Sequence, residues 1–291
     1  MHWKSGYIAV DWGTTNRRAY RVGADSAAAC FEDDQGVMAV PPGGFAEAVA
    51  EIRERLGDLP MLLAGMIGSN RGWHEAPYVA CAAGVREIAD QVQWIDQRTG
   101  IVPGVCQRQP NPDVMRGEEV QAVGAVAGGL IPEDALICHP GTHAKWIAMK
   151  SGRIESFRTM MTGEVFALLS KHSILADQMR EPATGGAEFA AGVRESLGGE
   201  PFLSALFRIR ARRLLGDASG DAASRASGIL IGSEVASARA EFGDRQVALI
   251  GKPELCQLYA TAIAMAGGEC CVIDGADAFL AGMSSLTRAF E

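Results

Sequence analysis

The chain has 291 residues, 48% hydrophobic and 21% charged, with 35 glycines, 12 prolines and a formal net charge of −8. That composition excludes bulk disorder and, at the usual size of about 150 residues per domain, suggests two domains with real cores. The acidic balance argues against a nucleic-acid binder, which needs a basic face to displace counterions, and no apolar run approaches the ~20 residues that span a bilayer.

Strands and helices alternate along the chain, which indicates an α/β fold. Residues 7–10 read as a buried strand that ends in the glycine turn of DWGTTN and resumes at 19–22. Residues 44–56 carry apolar side chains at helical spacing: Phe45, Ala48, Val49, Ile52 and Leu56. Short buried strands follow at 61–64 and 92–95, and 117–130 reads as a helix rich in small residues. Strands at 135–138 and 145–149 flank a second glycine turn, and 162–179 reads as one helix with Thr162 as its N-cap. The helix predicted at 202–215 carries Arg208, Arg210, Arg212 and Arg213, a solvated face or a subunit contact that would suit a homodimer. A strand at 246–250, a helix at 253–266 opened by proline, a strand at 270–273 and a helix at 275–290 complete the chain.

Seven cysteines, an odd number without a CxxC pair, predict reduced thiols and neither a disulfide framework nor a structural zinc site. The first residues lack the apolar segment of a secretion signal, so the protein is expected to be soluble and cytoplasmic.

The segment IAVDWGTT (8–15) is echoed by LICHPGTH (136–143) near the midpoint of the chain. Each is an apolar strand, one polar residue, one bulky residue and Gly-Thr. Two related halves, each opening with a strand–turn–strand unit, is the economical reading. A Gly-Thr turn leaves backbone N–H groups facing a concavity, which suits phosphate oxygens. Two such turns, one per domain, would hold a polyphosphate from both sides of a cleft. Asp11 precedes the first turn at the carboxyl end of a strand, where ligands of open α/β sheets gather. An acid beside phosphates requires a cation between them, so Asp11 is the expected Mg²⁺ ligand. The patterns GxxxxGK[ST], GxGxxG after a strand, HExxH and GxSxG are absent.

DWGTTN (11–16) resembles the first phosphate hairpin of the sugar kinase–Hsp70–actin superfamily. Together with GMIGSNRGWHEAPY (65–78), VMRGEE (114–119), PGTHAKW (140–146), MTGE (161–164) and IGSEVA (231–236), it is similar to the 2-dehydro-3-deoxygalactonokinase family. The resemblance implies two ribonuclease H-like domains around a central cleft. Residues 1–134 would bind the first phosphates and the sugar acid, and residues 135–291 the second phosphates and adenosine. It implies transfer of the γ-phosphoryl group of ATP to the 6-hydroxyl of 2-dehydro-3-deoxy-D-galactonate, in galactonate catabolism. The alternatives are the gluconate-derived epimer as acceptor, a phosphohydrolase, or a nucleotide-dependent switch of the same superfold.

On that resemblance Gly13, Thr14, Thr15 and Asn16 hold phosphates from the first domain, and Gly141, Thr142 and Lys145 from the second. Either Glu118 or Asp113 is the base for the acceptor hydroxyl. Gly68, Ser69, Asn70, Trp73 and Arg116 are assigned to the sugar acid, with an amide, a hydroxyl and an aromatic wall suited to a polyol. Gly251 and Gly275, each following an apolar strand, are placed against adenine. An acid opens the second turn in many superfamily members, but here His139-Pro140 stands in that position, so a second acidic metal contact is not expected there.

Overall fold

The computed structural model describes residue 3 and residues 6–23, 27–216 and 220–290. They fall into two compact units. The first is Met1–Asp134, Met149–Phe157 and Gly275–Glu291, and the second is Ala135–Ala148 and Arg158–Asp274.

In the first unit, β1 (Tyr7–Trp12), β2 (Arg17–Val22) and β3 (Ala27–Asp33) form an antiparallel meander. Ile8, Ala9, Val10 and Trp12 of β1 are fully buried, as a strand covered on both faces requires. Helix α1 (Phe45–Leu56) buries Phe45, Val49, Ile52 and Leu56, the stripe its spacing predicts. It crosses over to β4 (Met61–Gly65), which pairs in parallel with β1. The chain continues through β5 (Tyr78–Ala80), α2 (Val85–Ala89), β6 (Gln93–Asp96) and β7 (Thr99–Ile101), the last parallel to β4. Then come β8 (Gly104–Gln107), β9 (Asp113–Met115) and α3 (Glu118–Ala127). The main sheet has the order β3-β2-β1-β4-β7-β6, and β5-β8-β9 form a small sheet of their own.

The second sheet repeats the pattern. Strands β10 (Ala135–His139), β11 (Ala144–Lys150) and β12 (Arg153–Met160) are sequential neighbours; helices α4 (Thr162–His172), α5 (Ala187–Leu197), α6 (Phe202–Leu214) and α7 (Ala222–Phe242) follow. Strand β13 (Val247–Ile250) then adds in parallel to β10, and beyond α8 (Pro253–Met265), β14 (Cys270–Ile273) adds in parallel to β13. The order is β12-β11-β10-β13-β14. The echo between residues 8–15 and 136–143 thus marks the opening strand of two sheets built alike. Among the described residues no helix is long and apolar enough to cross a membrane.

Three expectations change. Helix α4 stops at His172, with a separate 3-10 turn at Ala176–Gln178, because the Ser173 hydroxyl donates to the Leu169 carbonyl at 2.6 Å and Ser173 itself is extended. Thr162 is the first helical residue rather than the cap, and its hydroxyl donates to Glu234. The last helix, α9 (Gly275–Ala289), belongs with the first unit, although the sequence reading carries the second domain to residue 291. Glycines make that packing close: a Cβ on Gly124 of α3 would overlap the Ala278 carbonyl, and one on Gly282 would overlap that of Val120.

Helix α7 is the longest described and has no counterpart in the sequence reading. Thirteen of its 21 residues are buried, so it lacks the polar face that makes a helical period visible.

Candidate active site

The first glycine turn is held by its carbonyls. The Trp12–Arg17 pair closes the β1–β2 ladder, and the Gly13 amide donates to the Asn16 carbonyl at 2.9 Å. The segment after β3 then takes the turn's acceptors. Gly36 donates to the Thr15 carbonyl at 3.2 Å, Val37 to Gly13 at 3.0 Å and Met38 to Thr14 at 3.2 Å. Gly36 has to be glycine, since a Cβ there would overlap Thr14. The base of the hairpin is pinned as well. The Trp12 indole donates to the Gln35 carbonyl at 2.8 Å, and Arg17 lies over the Trp12 ring while forking onto Asp33. The amides of Thr14, Thr15 and Asn16 make no protein hydrogen bond among the described residues, and all three residues are exposed. With its carbonyls occupied and three exposed amides without a protein partner, the turn has the donors that an anion nest uses.

Asp11 sits beside this tip, paired across the ladder with Arg18 on one side and Ala64 on the other. Burial pushes its carboxyl up to about 6; Arg18 opposes that rise, and the charges of Glu118 and Glu32 add to it. Glu118 opens α3, and its carboxylate accepts the Arg116 amide at 3.2 Å. Glu119, not among the candidates that the sequence offers, is fully buried. It accepts the Gly117 amide at 2.6 Å, and desolvation together with Glu118 raises its pKa to about 8. The VMRGEE motif contains both acids, but nothing in it tells which one is buried. Asp113 lies within β9, five positions before α3, and its carboxylate accepts the Val114 amide at 2.8 Å. Of the two candidate bases, the structure brings Glu118 into electrostatic contact with Asp11.

Arg116 holds the glycine-rich loop. Its guanidinium donates to the Ala76 carbonyl at 2.8 Å, lies 4.4 Å from the Tyr78 ring centre, and touches Gly68 so closely that a Cβ there would come within 2.8 Å. The Ser69 hydroxyl donates to Met66 at 2.8 Å and accepts the Arg71 amide at 3.2 Å, so it shapes the turn. Asn70 is exposed, and Trp73 packs partly on the core of the first unit and against His74.

The second turn is held by α4. A Cβ on Gly163 would overlap the Gly141 carbonyl, the Glu164 amide donates to the Thr142 carbonyl at 2.9 Å, and His143 Nε2 lies 2.6 Å from the Glu164 carboxylate. Lys145 is buried and donates to the His143 carbonyl at 3.1 Å. Beside Gly141 opens a mostly apolar cavity of about 620 Å³, walled by Gly163, Phe166, residues 182–185, Leu230, Leu258 and Tyr259. Gly251 lies against Pro140 but outside this wall. Gly275 opens α9 in the first unit, where its carbonyl accepts Gln121 at 3.1 Å. The turn is legible in the sequence and the cavity is not, because its wall comes from α4, α7, α8 and the loop before α5.

Among the described residues no cluster of three or more His, Cys, Asp or Glu side chains could hold a metal by itself.

A sequence profile of the 2-keto-3-deoxy-galactonokinase family matches residues 11–286. The 2-dehydro-3-deoxygalactonokinase of Escherichia coli (strain K12) is 35% identical over 290 residues, covering 97% of this chain and 98% of that one. A relative from Rhizobium meliloti (strain 1021), named probable 2-dehydro-3-deoxygalactonokinase DgoK1, is 38% identical over 298 residues, covering 97% of each. A crystal structure from Sinorhizobium meliloti that carries the same kinase name aligns with a TM-score of 0.91 at 37% identity, over 98% of this chain and 99% of that one. Component A of the (R)-2-hydroxyglutaryl-CoA dehydratase of Acidaminococcus fermentans is similar in fold alone, with a TM-score of 0.50 at 10% identity, over 98% of this chain and 99% of that one.

Proposed function

The chain belongs to the 2-keto-3-deoxy-galactonokinase family, and from that membership we propose that it phosphorylates 2-dehydro-3-deoxy-D-galactonate with ATP. The reaction joins the acceptor's 6-hydroxyl oxygen to the γ-phosphorus and breaks the bond to the bridging oxygen of ADP. The two repeated sheets are read as ribonuclease H-like domains. The observation that carries the reading is the first hairpin, with its carbonyls tied to residues 36–38, its amides exposed, and Asp11 beside it.

Phosphoryl transfer needs positioning and charge neutralisation more than covalent help from the protein. The amides at 14–16 take phosphate oxygens in the first unit, and Gly141 and Thr142 do so in the second. The apolar cavity beside Gly141 takes the adenosine. Asp11 fits a magnesium ion. Its carboxylate is held above its ordinary pKa by burial and neighbouring acids, and a cation relieves that cost. Mg²⁺ is commonly held by one or two carboxylates plus substrate phosphates and water. Bound there, it would neutralise charge on the phosphate oxygens. Glu118 accepts the proton of the acceptor hydroxyl. Arg116 sets the Gly68–Ala76 loop against which the sugar acid lies.

A coupled assay tests the proposal: ATP consumption with 2-dehydro-3-deoxygalactonate, its gluconate-derived epimer, plain hexoses, and no acceptor. Stoichiometric ADP release with the galactonate-derived acid is expected. A response to hexoses alone, or turnover indifferent to any acceptor, would overturn it.

A further inference from the structure

Glu234 lies within IGSEVA (231–236) and is not among the residues assigned to phosphate. It is 4% exposed, on the buried α7. Its carboxylate accepts three hydrogen bonds from three elements: the Trp146 indole of β11 at 2.7 Å, the Tyr259 hydroxyl of α8 at 2.7 Å and the Thr162 hydroxyl of α4. A buried carboxylate needs such donors to offset its lost hydration. Thr162 matters most for the site because of its position. It is the first helical residue of α4. The next residue, Gly163, abuts the Gly141 carbonyl and the Thr142 Cα, and Glu164 donates its amide to the Thr142 carbonyl at 2.9 Å. The first turn of α4 is therefore clamped, with Glu234 on one side and the glycine turn at 141–142 on the other. Thr162, Gly163 and Tyr259 also line the cavity beside Gly141.

We infer that Glu234 and Thr162 are positioning residues for the nucleotide: their hydrogen bond sets α4, and α4 sets the 141–142 turn that receives phosphate. The inference rests on the kinase reading for the identity of the ligand. Thr162 borders the cavity assigned to the adenosine and Glu234 lies behind it, both in the second unit, so weakening the clamp acts on nucleotide affinity rather than on the acceptor loop of the first unit.

The test compares wild type with Thr162→Val, Thr162→Ser and Glu234→Gln. It measures KM for ATP, KM for the sugar acid, ADP affinity by titration calorimetry, and the thermal midpoint. Removing one partner of a buried hydrogen bond leaves the other unsatisfied, and that loss should weaken ATP and ADP binding about tenfold. KM for the acid should stay unchanged, and Thr162→Ser should restore wild-type values. Glu234→Gln should shift in the same direction as Thr162→Val. Wild-type ADP affinity in Thr162→Val overturns the inference, as does an equal rise in both KM values or a drop in thermal midpoint with affinity unchanged. If the wild type consumes no ATP with the acid, the kinase reading fails, while the ADP titrations still decide the clamp. Absence of ADP binding by the wild type overturns both.

Discussion

Gly65 and Gly117 meet backbone to backbone: a Cβ built on Gly117 would lie 3.4 Å from the Gly65 Cα. Gly65 ends β4 with φ +92°, and Gly117 precedes α3 with φ +107°. This contact brings the start of α3, with Glu118 and Glu119, to the end of β4, next to the end of β1 that carries Asp11. A Cβ on Gly65 would also come 2.8 Å from the Trp12 carbonyl and 3.5 Å from Asp11 Oδ1.

Gly65→Ala should therefore cost both stability and activity. The φ value is unfavourable for any L side chain and the Trp12 carbonyl cannot yield freely, so a loss of about 1–3 kcal/mol is expected. Urea unfolding followed by tryptophan fluorescence measures it, and an unchanged midpoint would show that the backbone relaxes without strain.

Asp11→Asn should fold and lose most of its turnover, by about a hundredfold or more if the carboxylate meets the metal and phosphate charge. Steady-state kinetics with Mg-ATP checks this alongside circular dichroism. Near-wild-type activity would remove Asp11 from the metal site.

Glu118→Gln and Asp113→Asn separate the two candidate bases. A general base contributes roughly 10²–10⁴ in rate. The loss in kcat is expected for Glu118→Gln, which is electrostatically coupled to Asp11, and only a small change for Asp113→Asn. The reverse ranking would transfer the role to Asp113.

Two raised acids, Asp11 and Glu119, contribute stability that falls as pH rises. Asp11 is raised from 3.8 to about 6 and Glu119 from 4.5 to about 8. For both, the folded state holds its proton more tightly than the unfolded chain. Their contribution is thus full below about pH 4 and is lost as pH rises through about 6 and then about 8. Glu119→Gln keeps an acceptor for the Gly117 amide and carries no charge. Its thermal midpoint should change less than that of the wild type between about pH 6 and 9. An identical pH profile in the two proteins would mean that Glu119 is ionised at no cost.

Much of the architecture was legible because strands and an amphipathic helix leave periodic traces. Tyr7–Trp12, Phe45–Leu56 and Pro253–Met265 stand close to where their patterns place them. Helix α7 left no such trace because it is buried on most sides, and β5, β8 and β9 are too short to have a period. Glu119 was hidden by its neighbour: two adjacent glutamates look alike until α3 turns one inward. Gly251 and Gly275 looked equivalent as glycines after strands, but the chain returns after β14 to pack α9 on α3.

The sequence alone determined the strand–turn–strand openings of two alike halves, the glycine turns and the acid beside the first of them. These are local properties, written in residue type and spacing. Only the tertiary structure decided which amides stay free for a ligand, because residues 36–38 and the first turn of α4 occupy the turns' carbonyls from far along the chain. Burial and hydrogen bonding between distant segments set the surroundings of Asp11, Glu119 and Glu234, and no local pattern encodes which segments will meet.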